Sequence, residues 1–150
     1  MRIALLHPEI PGNVGAVLRL AACFGVGVDL IEPLGFPFSD RRLRRAGMDY
    51  ADRVEFDRHV DWDAFRQSRQ GRRLVLLTTR GRERLDEVRF EKEDILLMGS
   101  ESAGATAEAV EAAATSVRIP LMPGMRSLNL SVATGIALAE ALRQTGGLPR

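Results

Sequence analysis

The chain has little of the chemistry that metal sites and disulfides require. Among its 150 residues are one cysteine, Cys23, and two histidines, His7 and His59. A single cysteine excludes an internal disulfide and a multi-cysteine metal site, and two histidines are too few for a histidine-rich metal centre. We therefore expect no bound metal. Cys23 lies in an apolar helical stretch, which predicts a buried, unreactive thiol.

Long apolar runs are also missing. No segment approaches the length of a membrane span, and the N-terminus lacks the basic-then-apolar pattern of a signal peptide. We therefore expect a cytoplasmic protein with no membrane contact. The composition, 45% apolar and 27% charged, is typical of a soluble globular protein, and 150 residues fit a single domain covering 1–150.

Several familiar ligand-binding and catalytic motifs are absent. No Gly-x-Gly-x-x-Gly follows a predicted strand, because Gly25 and Gly27 precede one, and there is no Walker A sequence. Ser102 lies near glycines, but Ser100 stands where a nucleophile elbow requires glycine. These absences argue against a dinucleotide-binding Rossmann domain, a P-loop enzyme and a serine hydrolase.

Lysine is almost absent, with one lysine against twenty arginines, although the net charge is only +1. A short helix is predicted between Ser39 or Asp40 and Gly47. Four arginines cover less than half of its circumference: Arg41, Arg42, Arg44 and Arg45. Like charges this close repel one another unless water or anions surround them. Two interpretations stay open, a solvated face and an RNA-binding surface.

Strand-like and helix-like patterns alternate along the chain. Strands are predicted at 2–7, 26–32, 74–79 and 95–98 and from 117, and helices at 13–24, from 61, at 105–114 and up to about 143. Residues 49–60 are predicted to be weakly structured, and 80–94 to form a charged loop. The alternation predicts an α/β fold, a mostly parallel sheet flanked by helices.

The first predicted helix has two unlike faces. Its apolar face carries Val14, Val17, Leu18 and Ala21. The opposite face is made of small residues around one charge, Arg19: Gly12, Gly15, Ala16 and Cys23. Small residues allow a backbone or a ligand to come close. Arg19 is either an ordinary surface arginine or a functional one.

Residues 117–131 open as a β-branched strand and then meet two prolines and a glycine. The stiff loop that results has few partners for its amides, and Ser127, Asn129 or Ser131 can cap the following helix. The loop is either an ordinary connection or a site for a polar small molecule. Two more loops, from Thr78 and at 99–104, also follow predicted strands, and ligands bind at that edge of open α/β sheets.

Three segments, at 11–19, at 99–104 and at 118–131, resemble the three motifs of the SpoU (TrmH) branch of the SPOUT methyltransferases. Residues 31–36 and 42–50 resemble the short, single-domain tRNA 2′-O-methyltransferases that modify the wobble cytidine or uridine. The resemblance covers nearly the whole chain in order.

The resemblance implies S-adenosylmethionine as methyl donor, tRNA as substrate, a C-terminal trefoil knot and a homodimer with a shared active site. By motif, the cofactor residues are Leu77, Thr78, Gly99, Ile119, Leu121, Ser127 and Leu128. The functional polar residues are Arg19, Asn13, Glu101 and Asn129. Arginine stays protonated near neutral pH, so Arg19 is interpreted as an electrostatic stabiliser and phosphate clamp, with the proton passing to a phosphate oxygen or water. Glu101 is interpreted as orienting Arg19 or balancing its charge.

Some positions depart from the family pattern: Ser100 replaces a proline, Ala103 an arginine, Gly124-Met125 an acidic-serine pair and Val132 an asparagine. These changes bear on fine specificity and cofactor affinity. Two alternatives to the wobble-nucleotide enzyme stay open. One is an RNA-binding dimer without catalysis, and the other is a 2′-O-methyltransferase that acts on another RNA.

Overall fold

The computed structural model describes residues 1–38 and 53–150. Within them, seven strands pair in parallel in the order β3-β2-β1-β6-β4-β7-β5. The strands are β1 (Arg2–Leu6), β2 (Gly27–Ile31), β3 (Phe56–His59), β4 (Leu74–Leu77), β5 (Glu83–Arg84), β6 (Ile95–Met98) and β7 (Thr115–Arg118). Because all pairs are parallel, the carboxyl ends of the strands lie at one edge of the sheet.

Four helices cover the two faces of this part of the sheet: α1 (Pro11–Phe24), α2 (Trp62–Ser68), α3 (Ala107–Ala112) and α4 (Leu130–Thr145). Helices α1 and α4 pack together on one face, over alternate strand residues such as Ile3, Leu5 and Leu96. Helices α2 and α3 cover the other face, where Phe65 and Ala109 meet Leu6 and Leu97. The predicted α/β fold with helices on both faces is confirmed.

Local sequence explains where the helices begin and end. Pro11 occupies the first turn of α1, where its missing N–H costs no hydrogen bond, and Gly25 ends the helix at φ 65°. The side chain of Asp61 accepts the Ala64 amide and caps α2, the helix that was predicted from residue 61. Asn129, one of three predicted caps, accepts the Ser131 and Val132 amides at the start of α4.

Several expectations were wrong in detail. Residues 56–59 are not weakly structured, because they form β3, which pairs with β2. The 80–94 stretch is not all loop, since Glu83 and Arg84 form β5 beside β7. Cys23, predicted to be buried, is exposed together with Gly12, Ala16 and Arg19 on the predicted small-residue face of α1, of which only Gly15 is buried. The predicted basic helix, with Arg41, Arg42, Arg44 and Arg45, lies outside the described residues.

Within the two described ranges, no helix has the length and apolarity needed to cross a membrane. The same ranges contain no group of three or more His, Cys, Asp or Glu side chains placed to hold a metal ion.

Candidate functional site

One cavity of about 1240 Å³ lies at the carboxyl edge of the sheet. Its walls are the loops after β4, β6 and β7, the three loops that the sequence predicted for a ligand site. All seven residues assigned to the cofactor line this cavity: Leu77, Thr78, Gly99, Ile119, Leu121, Ser127 and Leu128. Asn13, Glu101 and Asn129 line it as well.

The loop between β7 and α4 has little internal hydrogen bonding. Among the described residues, its one backbone hydrogen bond runs from the Met125 amide to the Met122 carbonyl, at 3.1 Å. The amides of Leu121, Ser127 and Leu128 therefore have no protein acceptor there, as the two prolines of the loop led us to expect. These donors are available to a ligand in the cavity.

Three polar side chains form a chain of hydrogen bonds between the walls of the cavity. Asn129 Nδ2 donates to Asn13 Oδ1 at 2.9 Å, and Asn13 Nδ2 donates to Glu101 Oε1 at 3.0 Å. Asn13 is buried at 6% exposure. The bonds join α1, the cap of α4 and the 99–104 loop, so three segments distant in sequence hold one another in place.

Glu101 also serves the N-terminus of α1. Ile10, the residue before that helix, has no side chain that can cap it. The Glu101 carboxylate instead accepts the amides of Glu9, at 2.8 Å, and Ile10, at 3.2 Å. A carboxylate at a helix N-terminus accepts hydrogen bonds from amides that have no acceptor within the helix, and the positive end of the helix dipole stabilises its negative charge.

A second carboxylate, that of Glu9, makes the reciprocal contact from the loop after β1 to the loop after β6. Glu9 accepts the Ser102 amide at 2.8 Å and the Ser102 hydroxyl at 2.6 Å. The loops after β1 and β6 thus hold each other through two glutamates. Glu9 was not among the residues predicted to form the site. Its position beside prolines, directly after a buried strand, was the available signal.

Arg19 lies apart from the other predicted polar residues. It is exposed on α1 and does not line the cavity. Arg19 lies six positions after Asn13, which corresponds to a rise of about 9 Å along the helix. Within the described residues, the Glu101 carboxylate accepts hydrogen bonds from Glu9, Ile10 and Asn13. Its partners therefore differ from Arg19, the residue that it was predicted to orient.

Two features of the 99–104 loop explain why it is closely packed. Ser100 donates its amide to the Gly104 carbonyl at 3.0 Å and accepts the Gly104 amide in return, which closes the turn. A proline, which the motif resemblance leads us to expect at this position, has no N–H for the first of these bonds. At Gly99, an added Cβ would lie 2.3 Å from the Ala105 nitrogen, so a side chain is excluded.

The cavity wall contains more arginine than the sequence analysis assigned to it. Arg80, Arg82, Arg84, Arg118 and Arg126 all line it. The charged stretch after β4 was the signal for the first three of these, but it was interpreted only as a loop.

Comparison with known proteins agrees with this geometry. A tRNA (cytidine(34)-2′-O)-methyltransferase from Beijerinckia indica subsp. indica is 55% identical, over 99% of this chain and 94% of the relative. A solved structure described as "Structural insights into the 2-OH methylation of C/U34 on tRNA" has a TM-score of 0.90 and 42% identity, covering 95% of this chain and 94% of that one.

An AdoMet-bound rRNA methyltransferase from Sinorhizobium meliloti has a TM-score of 0.84 and 33% identity, over 95% of this chain and 55% of that chain. The family model described as "SpoU rRNA Methylase family" matches residues 1–139. The resemblance read from the three motifs is confirmed, and this chain belongs to the SpoU rRNA methylase family.

Proposed function

We propose that this protein is a tRNA 2′-O-methyltransferase that transfers a methyl group from S-adenosylmethionine to the ribose 2′-hydroxyl of the wobble cytidine or uridine, nucleotide 34. The observation that carries the proposal is the single cavity in which the three motif loops meet around hydrogen-bonded Asn13, Glu101 and Asn129. The names of relatives that match over nearly the whole length of both chains support the same reaction and substrate.

The cavity fits this cofactor in size and chemistry. Its volume of about 1240 Å³ exceeds the roughly 300–1,000 Å³ of typical small-ligand sites, which leaves room for a cofactor and a nucleotide. Apolar side chains of Leu77, Ile119 and Leu121 can pack against an adenosine, and the unbonded amides of Leu121 and Leu128 can donate to it. When bound, S-adenosylmethionine supplies an electrophilic methyl group.

The chain's own residues account for the rest of the chemistry. The proton of the 2′-hydroxyl passes to a phosphate oxygen of the RNA or to water, and a guanidinium beside the ribose oxygen stabilises the negative charge that develops there. We assign this stabilising role to Arg19, because a guanidinium offers hydrogen-bond donors and no acceptor. The hydrogen-bonded Asn13, Glu101 and Asn129 hold the walls in place, so that the reacting groups meet in line.

Because Arg19 does not line its own subunit's cavity, we propose that Arg19 of the partner subunit completes the site in a homodimer. Exposed apolar side chains beside the cavity support this: Met122 is 77% exposed, Met125 66% and Val132 50%. Exposed apolar patches of this kind mark interaction sites. Sedimentation at micromolar concentration tests the proposal, because an active monomer would contradict it.

Three further features belong to the same proposal. The segment from β7 into α4 forms a trefoil knot, which the chain trace of a crystal structure would show or exclude. The arginines at 41, 42, 44 and 45 bind tRNA, a role tested by reversing Arg41 and Arg45 to glutamate and measuring the salt dependence of binding. The protein works in the cytoplasm, which fractionation of cells tests directly.

The activity is tested with the purified protein, methyl-labelled S-adenosylmethionine and tRNA from cells in which the gene is deleted. We expect one 2′-O-methyl group, mapped by digestion and mass spectrometry to nucleotide 34. Methylation of ribosomal RNA instead would favour another RNA substrate. RNA binding without methyl transfer or cofactor binding would favour the non-catalytic alternative.

A further inference from the structure

The arginines around the cavity are of two kinds. Arg84 forms a two-point ion pair with Asp86, at 3.1 and 3.0 Å, and Arg118 donates to the carbonyls of Gly81 and Arg82. The side chains of Arg80, Arg82 and Arg126 have no hydrogen-bond or ion-pair partner in residues 1–38 and 53–150, and all three are exposed. We call these three the rim arginines.

The backbone that carries two of the rim arginines is firmly held. Gly81 is buried between them, and a Cβ there would lie 2.2 Å from the carbonyl carbon of Val117. The Arg82 amide donates to Ser116 Oγ at 3.1 Å, and Arg118 Nη1 lies 2.7 Å from the Gly81 carbonyl and 2.8 Å from that of Arg82. Hydrogen bonds and close packing hold the backbone of this loop, yet the guanidiniums of Arg80 and Arg82 have no hydrogen-bond acceptor in the described residues. Such an arrangement prepares a site for a ligand from outside.

The charge balance of the cavity indicates what kind of ligand this is. Among the described residues that line it, four arginines without a carboxylate partner, Arg80, Arg82, Arg118 and Arg126, stand against one carboxylate, Glu101, which already accepts three hydrogen bonds. S-adenosylmethionine carries a sulfonium and an ammonium against one carboxylate, so it does not balance this excess. A ligand with several negative charges does, and the planar fork of arginine matches the oxygens of a phosphate.

We propose that Arg80, Arg82 and Arg126 bind the backbone phosphates that flank the target nucleotide and thereby hold its ribose over the cavity. The inference rests on the proposed function for the identity of the RNA. The rim arginines are different residues from the arginines at 41–45, and they lie at the cavity wall.

The test replaces all three rim arginines with glutamine, R80Q/R82Q/R126Q, in the full-length protein. The control is R53Q/R89Q/R150Q, which removes the same charge from three exposed arginines that do not line the cavity. Binding of tRNA from the deletion strain is measured from 50 to 300 mM KCl, and cofactor binding by calorimetry. Thermal unfolding checks that each variant is folded.

We expect the rim variant to bind tRNA about 10- to 100-fold more weakly at low salt. Its log–log salt slope should fall by about 2, since each single-stranded phosphate contact contributes about 0.7. The control should keep the wild-type slope, and both variants should keep the cofactor affinity within about twofold. A lysine version, R80K/R82K/R126K, should recover most of the slope, because the charge determines it.

Equal slopes in the rim and control variants would overturn the inference. Loss of cofactor affinity in the rim variant would also overturn it, because the arginines would then serve the cofactor. These outcomes differ from failure of the proposed function, which would appear as absent methyl transfer by the wild-type protein. The salt slopes still decide the role of the rim arginines in that case.

Discussion

Two regions of the molecule use arginine in opposite ways. On the face covered by α2, Arg2 and Arg69 enclose a carboxylate, Asp29, that is completely buried. At the carboxyl edge of the sheet, Arg80, Arg82 and Arg126 have no partner in the described chain. The same side chain is a structural element in one place and an available cation in the other.

The buried region is an ionic cluster in which each charge meets its opposite. Arg2 Nε lies 2.7 Å from Asp29, Arg69 Nη2 lies 2.7 Å from the same carboxylate, and both arginines also reach Asp57. Burial alone would raise the pKa of Asp29, but hydrogen bonds from Arg69, Arg2 and His59 hold that pKa below its ordinary value. Asp29 therefore stays ionised in the folded protein.

The contrast shows that pairing and burial separate structural arginines from ligand-binding ones. The total of twenty arginines carries no such information, since a genome that favours arginine codons gives the same count. Substitutions should therefore affect stability in the ionic cluster and function at the cavity.

The largest effect is expected at Asp29. Asp29→Asn keeps the shape but leaves Arg2 and Arg69 without their buried carboxylate, which should lower the free energy of unfolding by about 3–5 kcal/mol. Asp86→Asn, which removes an exposed partner of Arg84, should change it far less, because water screens that pair. Denaturant titration of both variants measures the difference, and similar losses would remove the distinction between buried and exposed pairs.

Arg19 should show the reverse pattern, a large loss of activity with little loss of stability. Arg19→Ala should lower the rate of methyl transfer about 100-fold or more, equivalent to roughly 2.7 kcal/mol of transition-state stabilisation. Single-turnover kinetics with bound cofactor measure this rate. Arg19→Lys should recover only part of it, because a point charge cannot hold two oxygens in a fixed fork.

Cofactor affinity and thermal stability provide the control for Arg19. Both should stay near the wild-type values, because the side chain lies on the exposed face of α1, opposite the Val14–Leu18 core. A variant that loses both together would show that Arg19 is structural.

Much of the fold could be predicted from local patterns. The apolar face of α1 was predicted correctly because Val14, Val17 and Leu18 recur at helical spacing, and all three are buried. Strand β3 was missed because its sequence, Phe-Asp-Arg-His, carries two charges whose partners are distant in sequence: Asp57 joins the ionic cluster, and Arg58 pairs with Glu32. Tertiary pairing overrides local propensity at such a strand.

The residues of the candidate site, like the fold, could be predicted only in part. The motif resemblance placed Asn13, Glu101 and Asn129 together, and their hydrogen bonds are consistent with it. No local pattern shows that Arg118 bonds the loop carrying Arg82, because 36 residues separate them along the chain. The pairing of an arginine depends on tertiary contacts, so sequence alone could not sort the rim arginines from the structural ones.

Asn129 contributes both to stability and to the candidate site, because it caps α4 and also donates a hydrogen bond to Asn13 at the cavity. Asn129→Ala should cost about 1–2 kcal/mol of stability, the range for loss of an N-cap with one hydrogen bond. Asn129→Ser keeps a capping oxygen but is too short to reach Asn13. It should recover most of the stability and little of the activity. Equal recovery of both would mean that the Asn13 bond has no functional role.

The smallest effect is expected for a pair that is formed but exposed. Arg143 donates to Glu140 at 2.7 and 2.8 Å on α4, and its side chain is 65% exposed. This hydrogen bond lowers the pKa of Glu140 from 4.5 to about 2. The folded pKa lies below the unfolded one, so the stabilisation is present above about pH 4.5 and is lost as pH falls towards 2.

Water around Arg143 screens the pair, so Glu140→Gln should lower the free energy of unfolding at pH 7 by only about 0.5 kcal/mol or less. The difference between wild type and variant should shrink as the pH falls below 4.5. Denaturant titrations at pH 7 and pH 3 measure it. If Glu140→Gln cost as much as Asp29→Asn at pH 7, pairing alone would determine stability, and burial could not be what distinguishes the ionic cluster from the exposed arginines.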